Sequence, residues 1–190
     1  MSNREPESSN QATTAWRARS SRLIHRNPWL SLREDIVEMP NGDTTTYGVV
    51  TLGDCVGVLP FVDDDTVLLI RQYRYVAGMV RWEIPTGGVH SDEKFEDAAQ
   101  RELLEETGRR AGRLSCISSF HTSKSVVDET AHLYVANDLS IVKGSAEGDS
   151  TEFIEVRPTP LRRVVEMVRS GEITDAMTII AVLQLAARRV

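Results

Sequence analysis

Cysteine is scarce in this chain: Cys55 and Cys116 are the only two, too few to staple a disulfide scaffold and without the spacing of a zinc site. A reducing cytoplasm is the expected location. No stretch approaches the roughly 20 consecutive apolar residues of a membrane-spanning helix, and the polar start from Met1 to Ser20 has no apolar core of signal-peptide length. No membrane partner is expected. Positive charge is in deficit, with 22 Lys+Arg against 28 Asp+Glu, a formal net charge of -6 and a pI near 5.3. Nucleic acid and anionic lipid both reward a basic surface, so nucleic acid is not expected as a partner, although a local basic pocket is still allowed. What the chain does have is apolar material: 41% of its 190 residues are hydrophobic, enough to bury one real core and to rule out disorder over the whole length.

Residues 1–21 are rich in Ser, Asn, Thr, Glu and Arg, a composition that offsets little ordering entropy, and read as a disordered tail. Residues 22–55 read as a β extension, with strands at Arg22 to His25 and Leu30 to Val37, a hairpin turn at Pro40-Asn41-Gly42-Asp43, and a strand from Thr44 to Leu52. Residues 56–190 read as the main domain. Its strands are expected at Val56 to Val62, Thr66 to Tyr75, Val80 to Ile84, Ser115 to Phe120, Thr130 to Ala136 and Phe153 to Val156. Its helices are expected at Lys94 to Thr107, stopped by Gly108, at Leu161 to Arg169, stopped by Gly171, and at Thr174 to Arg189. Lys143 to Ser150 reads as a loop. The order implies a single α+β or αβα-layered domain.

The central helix carries more than packing. At roughly 100° per residue, Phe95, Ala98, Ala99, Glu102, Glu105 and Glu106 all fall within about 60° of one direction, so three carboxylates extend the apolar stripe. A solvated charge run belongs on the opposite face; the plainer alternative is an exposed helix with i,i+4 charge pairs. Carboxylates crowded at i, i+3 and i+4 repel one another unless a cation compensates. An oxygen-only donor set favours a hard ion, Mg²⁺ over Zn²⁺, with Mn²⁺ as a substitute, and Mg²⁺ commonly fills its shell with substrate phosphate oxygens.

Gly87, five residues, Glu93, seven residues, then Arg101-Glu102-Leu103-Leu104-Glu105-Glu106-Thr107-Gly108 resembles the Nudix box of the Nudix hydrolases. The last position, usually a bulky aliphatic, is Arg109 here, with Ala111 the nearest small apolar residue. Trp82-Glu83-Ile84-Pro85, Arg71-Gln72-Tyr73-Arg74, the early hairpin and Gly171-Glu172-Ile173-Thr174-Asp175-Ala176 are similar to the ADP-ribose and nucleotide-sugar pyrophosphatase branch. The resemblance implies a Nudix fold, an αβα sandwich with a mixed sheet, carrying an N-terminal antiparallel sheet extension that packs in a swapped homodimer. It also implies Mg²⁺-dependent hydrolysis of the pyrophosphate bond of ADP-ribose or a related nucleoside diphosphate sugar.

Carried over by position, Glu102, Glu105 and Glu106 are the metal ligands, and the Thr86 carbonyl completes a shell. Glu93 and Arg101 hold the loop to the helix, and Gly87, Gly88 and Gly108 permit turns or close approach. Glu129 is the first choice of general base, with His121 as its alternative. Arg74 and Glu83 are placed at the substrate, Arg74 on the diphosphate or terminal ribose. Trp82 or Tyr73 stacks on a base, Tyr73 being the one more expected in the core. The branch usually carries a proline where Ser123-Lys124-Ser125 stands, so GDP-mannose or another nucleotide sugar competes with ADP-ribose as substrate. A nucleotide-binding sensor without turnover is the remaining alternative.

Overall fold

The computed structural model describes residues 15–142 and 154–188; expectations for the first fourteen residues, for Lys143 to Ser150, for Phe153 and for Arg189 lie outside them. In chain order the strands before the first helix are β1 (Arg17–Arg26), β2 (Ser31–Glu38), β3 (Thr44–Thr51), β4 (Cys55–Pro60), β5 (Thr66–Arg74), β6 (Met79–Glu83) and β7 (Thr86–Gly88). Then come α1 (Phe95–Thr107), β8 (Arg109–His121), β9 (Val127–Asp128), β10 (Thr130–Ile141), β11 (Glu155–Pro160), α2 (Leu161–Ser170) and α3 (Ala176–Arg188). They form two compact units, one of the chain up to Leu52 with Ser123–Asp128, the other of Gly53–Thr122 with the chain from Glu129 onward.

The first unit is one sheet in the order β1-β2-β3-β9, antiparallel except for the short β3/β9 pairing. Strand β1 begins at Arg17, inside the stretch expected to be a tail. Its ten residues are all exposed, so pairing rather than burial orders it: the ladder runs from Arg17↔Glu38 to Arg26↔Ser31. Arg19 pairs with Glu38, and Arg22 with Glu34 at 3.0 Å. The β2–β3 hairpin turns where expected, with Gly42 at φ 87° and the Met39 N–H donating to the Asp43 carbonyl at 2.8 Å.

The second unit has a mixed sheet, β7-β4-β10-β8, in which β4 and β10 run parallel, and an antiparallel sheet, β11-β5-β6. Side chains alternate across a strand, so β4 and β10 each feed two cores. Val56, Val58, Tyr134 and Ala136 pack against Ala98, Ala99 and Leu103 of α1. Leu59, Leu133 and Val135 face the other way, to Val164 and Met167 of α2, Ala181 and Val182 of α3, and Leu69 and Ile84 beside the second sheet. The sheet therefore lies between helical layers, and the fold is α+β as expected. Strand β8 is longer than the expected Ser115 to Phe120 because it pairs with β10 along the whole run from His121↔Thr130 to Arg109↔Ile141. Arg109 thus enters a strand, and Ala111 and Leu114 further along it pack on the α1 core. Among the described residues no helix is long and apolar enough to cross a membrane.

Candidate active site

Helix α1 has no side-chain cap at Lys94, carries Glu96 and Asp97 in its first turn, and ends at Gly108 in the left-handed region with φ 65°. The apolar residues Ala98, Ala99 and Leu103 fix its rotation, and the glutamates follow. Glu106 is only 6% exposed and the Glu102 side chain 12%, whereas the Glu105 side chain is 49% exposed, as befits the edge of the stripe. Burying a carboxylate demands partners. The Thr86 N–H donates to Glu106 Oε2 at 3.0 Å and Gln72 Nε2 to Oε1 at 3.5 Å.

Arg101 binds the loop to the helix. Its guanidinium forks onto Glu93, both bonds at 2.9 Å, donates to the Gly88 carbonyl at 2.9 Å, and reaches Glu102 at 2.5 Å and Glu105 at 3.2 Å. Those Arg101 hydrogen bonds hold the Glu93 carboxyl well below its ordinary range, at about 2, and Glu93 in turn raises Arg101. Gly87 has a steric role: a Cβ there would fall on the Glu102 carboxylate. Gly88 meets nothing, so its lack of a side chain answers no crowding.

A second polar surface comes from β5 and β6, where the register pairs Ile70 with Glu83 and Gln72 with Arg81. With a period of two, Gln72, Arg74, Arg81 and Glu83 share one face. Arg74 Nε donates to Glu83 at 2.9 Å and its Nη2 to the Thr86 hydroxyl at 3.3 Å, which links this face to the strand that holds Glu106. Burial pushes the Glu83 carboxyl up, only partly offset by Arg74, and against burial Glu83 keeps the Arg74 guanidinium firmly protonated. Trp82 points the other way. It is 7% exposed in the core, with the Arg157 guanidinium 3.8 Å over its ring, so the structure does not bring it to this face. Tyr73, expected in the core, is 58% exposed because β5 has run past the packed segment by that point.

Glu129 is half-buried just before β10. Two residues on, Ala131 flanks Cys55 from one side while Gly88 flanks it from the other, so Glu129 stands one strand away from the loop that precedes α1. Burial first, then the charges of Glu129 and Asp54, push the Cys55 thiol up to about 12. His121 is exposed at the end of β8. Among the described residues no three carboxylate, imidazole or thiol groups already converge on one point. The donor set nevertheless suits a hard divalent cation: it is all oxygen, two of its carboxylates are screened from water, and Gly87 leaves the room in which Glu102 lies.

The NUDIX domain model matches residues 51–176, well over half of the chain. The chain belongs to the Nudix family. Members of this family generally use a divalent metal. The model described as the nucleoside diphosphate sugar hydrolase N-terminal domain matches residues 16–50. An ADP-ribose pyrophosphatase of Bacillus subtilis (strain 168) is 35% identical over 156 residues, covering 82% of this chain and 84% of that protein. A GDP-mannose pyrophosphatase of Salmonella paratyphi B is 36% identical over 123 residues, 60% of this chain and 63% of that one. The crystal structure of an ADP compounds hydrolase shares the fold, with a TM-score of 0.81 at 24% identity over 90% of this chain and 92% of that one.

Three members of this polar region have no site role in the sequence pattern: Gln72 and Asp175, which lie in the stretches that carry the resemblance, and Arg81, which does not. The signal for the first two was the alternation along β5 and β6 that also selects Arg74 and Glu83. Asp175 caps α3, its Oδ2 accepting from the Thr178 N–H at 2.7 Å and from the Thr178 hydroxyl at 2.6 Å.

Proposed function

We propose that this Nudix protein is a cytoplasmic, Mg²⁺-dependent pyrophosphohydrolase of nucleoside diphosphate sugars, with ADP-ribose the leading substrate, releasing a nucleoside monophosphate and a sugar phosphate. The observation that carries the reading is the buried Glu106, tied by Thr86 and Gln72 to the face on which Arg74 and Glu83 stand. Glu102, Glu105 and Glu106, with the Thr86 carbonyl, are the residues to hold Mg²⁺, for which Mn²⁺ can substitute. Bound there, the ion supplies charge neutralisation of the diphosphate and a template for in-line attack on phosphorus. Arg74 donates to a phosphate oxygen. Its pairing with Glu83 presets the guanidinium plane for that contact. Glu129 takes the proton of the attacking water. Glu93 and Arg101 hold the loop in register with α1, and the free thiols of Cys55 and Cys116 accord with a reducing compartment.

GDP-mannose is the second reading, favoured by the absence of a proline from Ser123-Lys124-Ser125. Purified protein with Mg²⁺ is to be offered ADP-ribose, GDP-mannose, UDP-glucose, diadenosine polyphosphates and NADH, with the products separated by chromatography. The reading requires a nucleotide sugar to be cleaved between its phosphates; no cleavage of any panel member, with binding retained, returns the protein to the sensor class. We further propose a homodimer built on the N-terminal sheet. Light scattering on the full chain and on the chain lacking residues 1–52 tests it, and a full-length monomer refutes it.

A further inference from the structure

The structure assigns Arg81 to the sugar half of the substrate as a specificity-determining contact, an assignment that rests on the hydrolase reading above. A cavity of about 260 Å³ is lined by Arg74, Ala77, Arg81, Glu83, Thr174 and Asp175. That is below the roughly 300–1,000 Å³ of sites that enclose a whole drug-sized ligand, so it takes one end of a nucleotide sugar. Which end follows from the lining. A base is held by stacking on an aromatic ring, and among the described residues no ring lines this cavity; Trp82 is turned to the opposite face of β6. Two guanidiniums and two carboxylates do line it, a mixture of donors and acceptors that matches the hydroxyls of a sugar.

Three of those four charges are already engaged inside the protein. Arg74 and Glu83 bind each other, and Asp175 caps α3. Arg81 is different. The bond its guanidinium makes is a long one, 3.4 Å, from Nη1 to the carbonyl of Val80, and its Nε, screened from water, has no acceptor among the described residues. A buried donor without a partner is costly, and a ligand oxygen placed there removes the cost. The position is also connected to the chemistry: Arg81 stands opposite Gln72, which donates to Glu106, and Arg74 both lines the cavity and donates to Thr86. A diphosphate held at Arg74 therefore leaves its sugar beside Arg81.

The test compares wild type, Arg81→Met and Arg81→Lys as full-length chains, each checked by thermal melting. Calorimetric Kd values are measured for ADP-ribose, GDP-mannose, AMP and GMP with chelator present, so that binding is read without turnover. A lost charged hydrogen bond weakens binding by roughly ten- to a hundredfold. Arg81→Met is expected to lose that much for the preferred nucleotide sugar and less than about twofold for the matching monophosphate, with Arg81→Lys in between. With metal restored, KM rises in the same proportion and kcat falls by less. Unchanged sugar affinity, or equal losses for sugar and monophosphate, overturns the assignment. Failure of the wild type to cleave any nucleotide sugar would instead overturn the hydrolase reading, and the chelated binding data still judge Arg81.

Discussion

Gly87→Ala separates function from stability at one atom. The backbone at Gly87 is an ordinary strand position paired across β4 with Val56, so alanine is not strained by its dihedrals. The added Cβ lands on the Glu102 carboxylate, and the obstructing atoms are the tip of a flexible side chain. Glu102 therefore swings aside and the backbone stays. What is lost structurally is its 2.5 Å bond to Arg101, a pair with side chains 22% and 12% exposed, while Arg101 keeps Glu93, Glu105 and the Gly88 carbonyl. Such a pair contributes about 1 kcal/mol, which lowers Tm by about 2–4 °C in a chain of this size. The functional loss is larger. On the ligand role proposed for Glu102, moving its carboxylate by about an ångström costs on the order of a hundredfold in kcat/KM, or about 2.7 kcal/mol. Initial rates on the preferred nucleotide sugar across a Mg²⁺ titration, with melts of the same samples, measure both. Gly88→Ala is the control: its Cβ meets no atom within 4 Å, and activity is expected within about twofold of wild type. Full activity in Gly87→Ala, or an equal loss in Gly88→Ala, refutes the steric role of Gly87 beside Glu102.

Glu106→Gln retains an oxygen to accept from the Thr86 N–H and changes little volume, so it is expected to fold normally while turnover falls by roughly two to three orders of magnitude; near-wild-type rates contradict the metal assignment. Glu129→Gln is expected to reduce kcat by about 10²-fold or more with an unchanged Mg²⁺ midpoint, and an unaltered rate moves the base elsewhere. Glu93 supplies a pH test. Its folded pKa, about 2, lies below the ordinary 4.5, so its contribution to stability is fully present above pH 4.5 and drains away as pH falls toward 2. Arg101→Met removes the cause of that depression, so melting temperatures between pH 4.5 and 2 should fall less steeply than in wild type; an identical slope places the acid sensitivity on another group.

The helix was the most legible part of the site because a helix turns sequence spacing into geometry without help from the rest of the fold. Ala98, Ala99 and Leu103 define the buried direction, and Glu102 and Glu106 follow within one turn, which is why both are screened from water. Glu105 sits at the limit of that arc, and a change of a few tens of degrees is enough to leave it half in solvent. Boundaries set by partners were less legible. Nothing local marks Arg17 as the start of β1 or Arg109 as the start of β8; Glu38 and Ile141, distant in sequence, decide both.

The β5–β6 face shows the same limit at single-residue scale. Arg81 and Trp82 are neighbours in the chain, yet one lines a polar cavity and the other lies in the core under Arg157. Only the phase of the strand distinguishes them, and a slip of one residue would exchange their places. That phase is set by what surrounds it: Ile84 is fully buried beyond the end of β6, and on the facing strand Leu69 is buried on Trp82's side while Gln72 lies opposite Arg81. An aromatic next to a motif reads in sequence as a stacking platform because rings serve both purposes. The pleat assigns this one to packing and leaves its arginine neighbour to face the ligand.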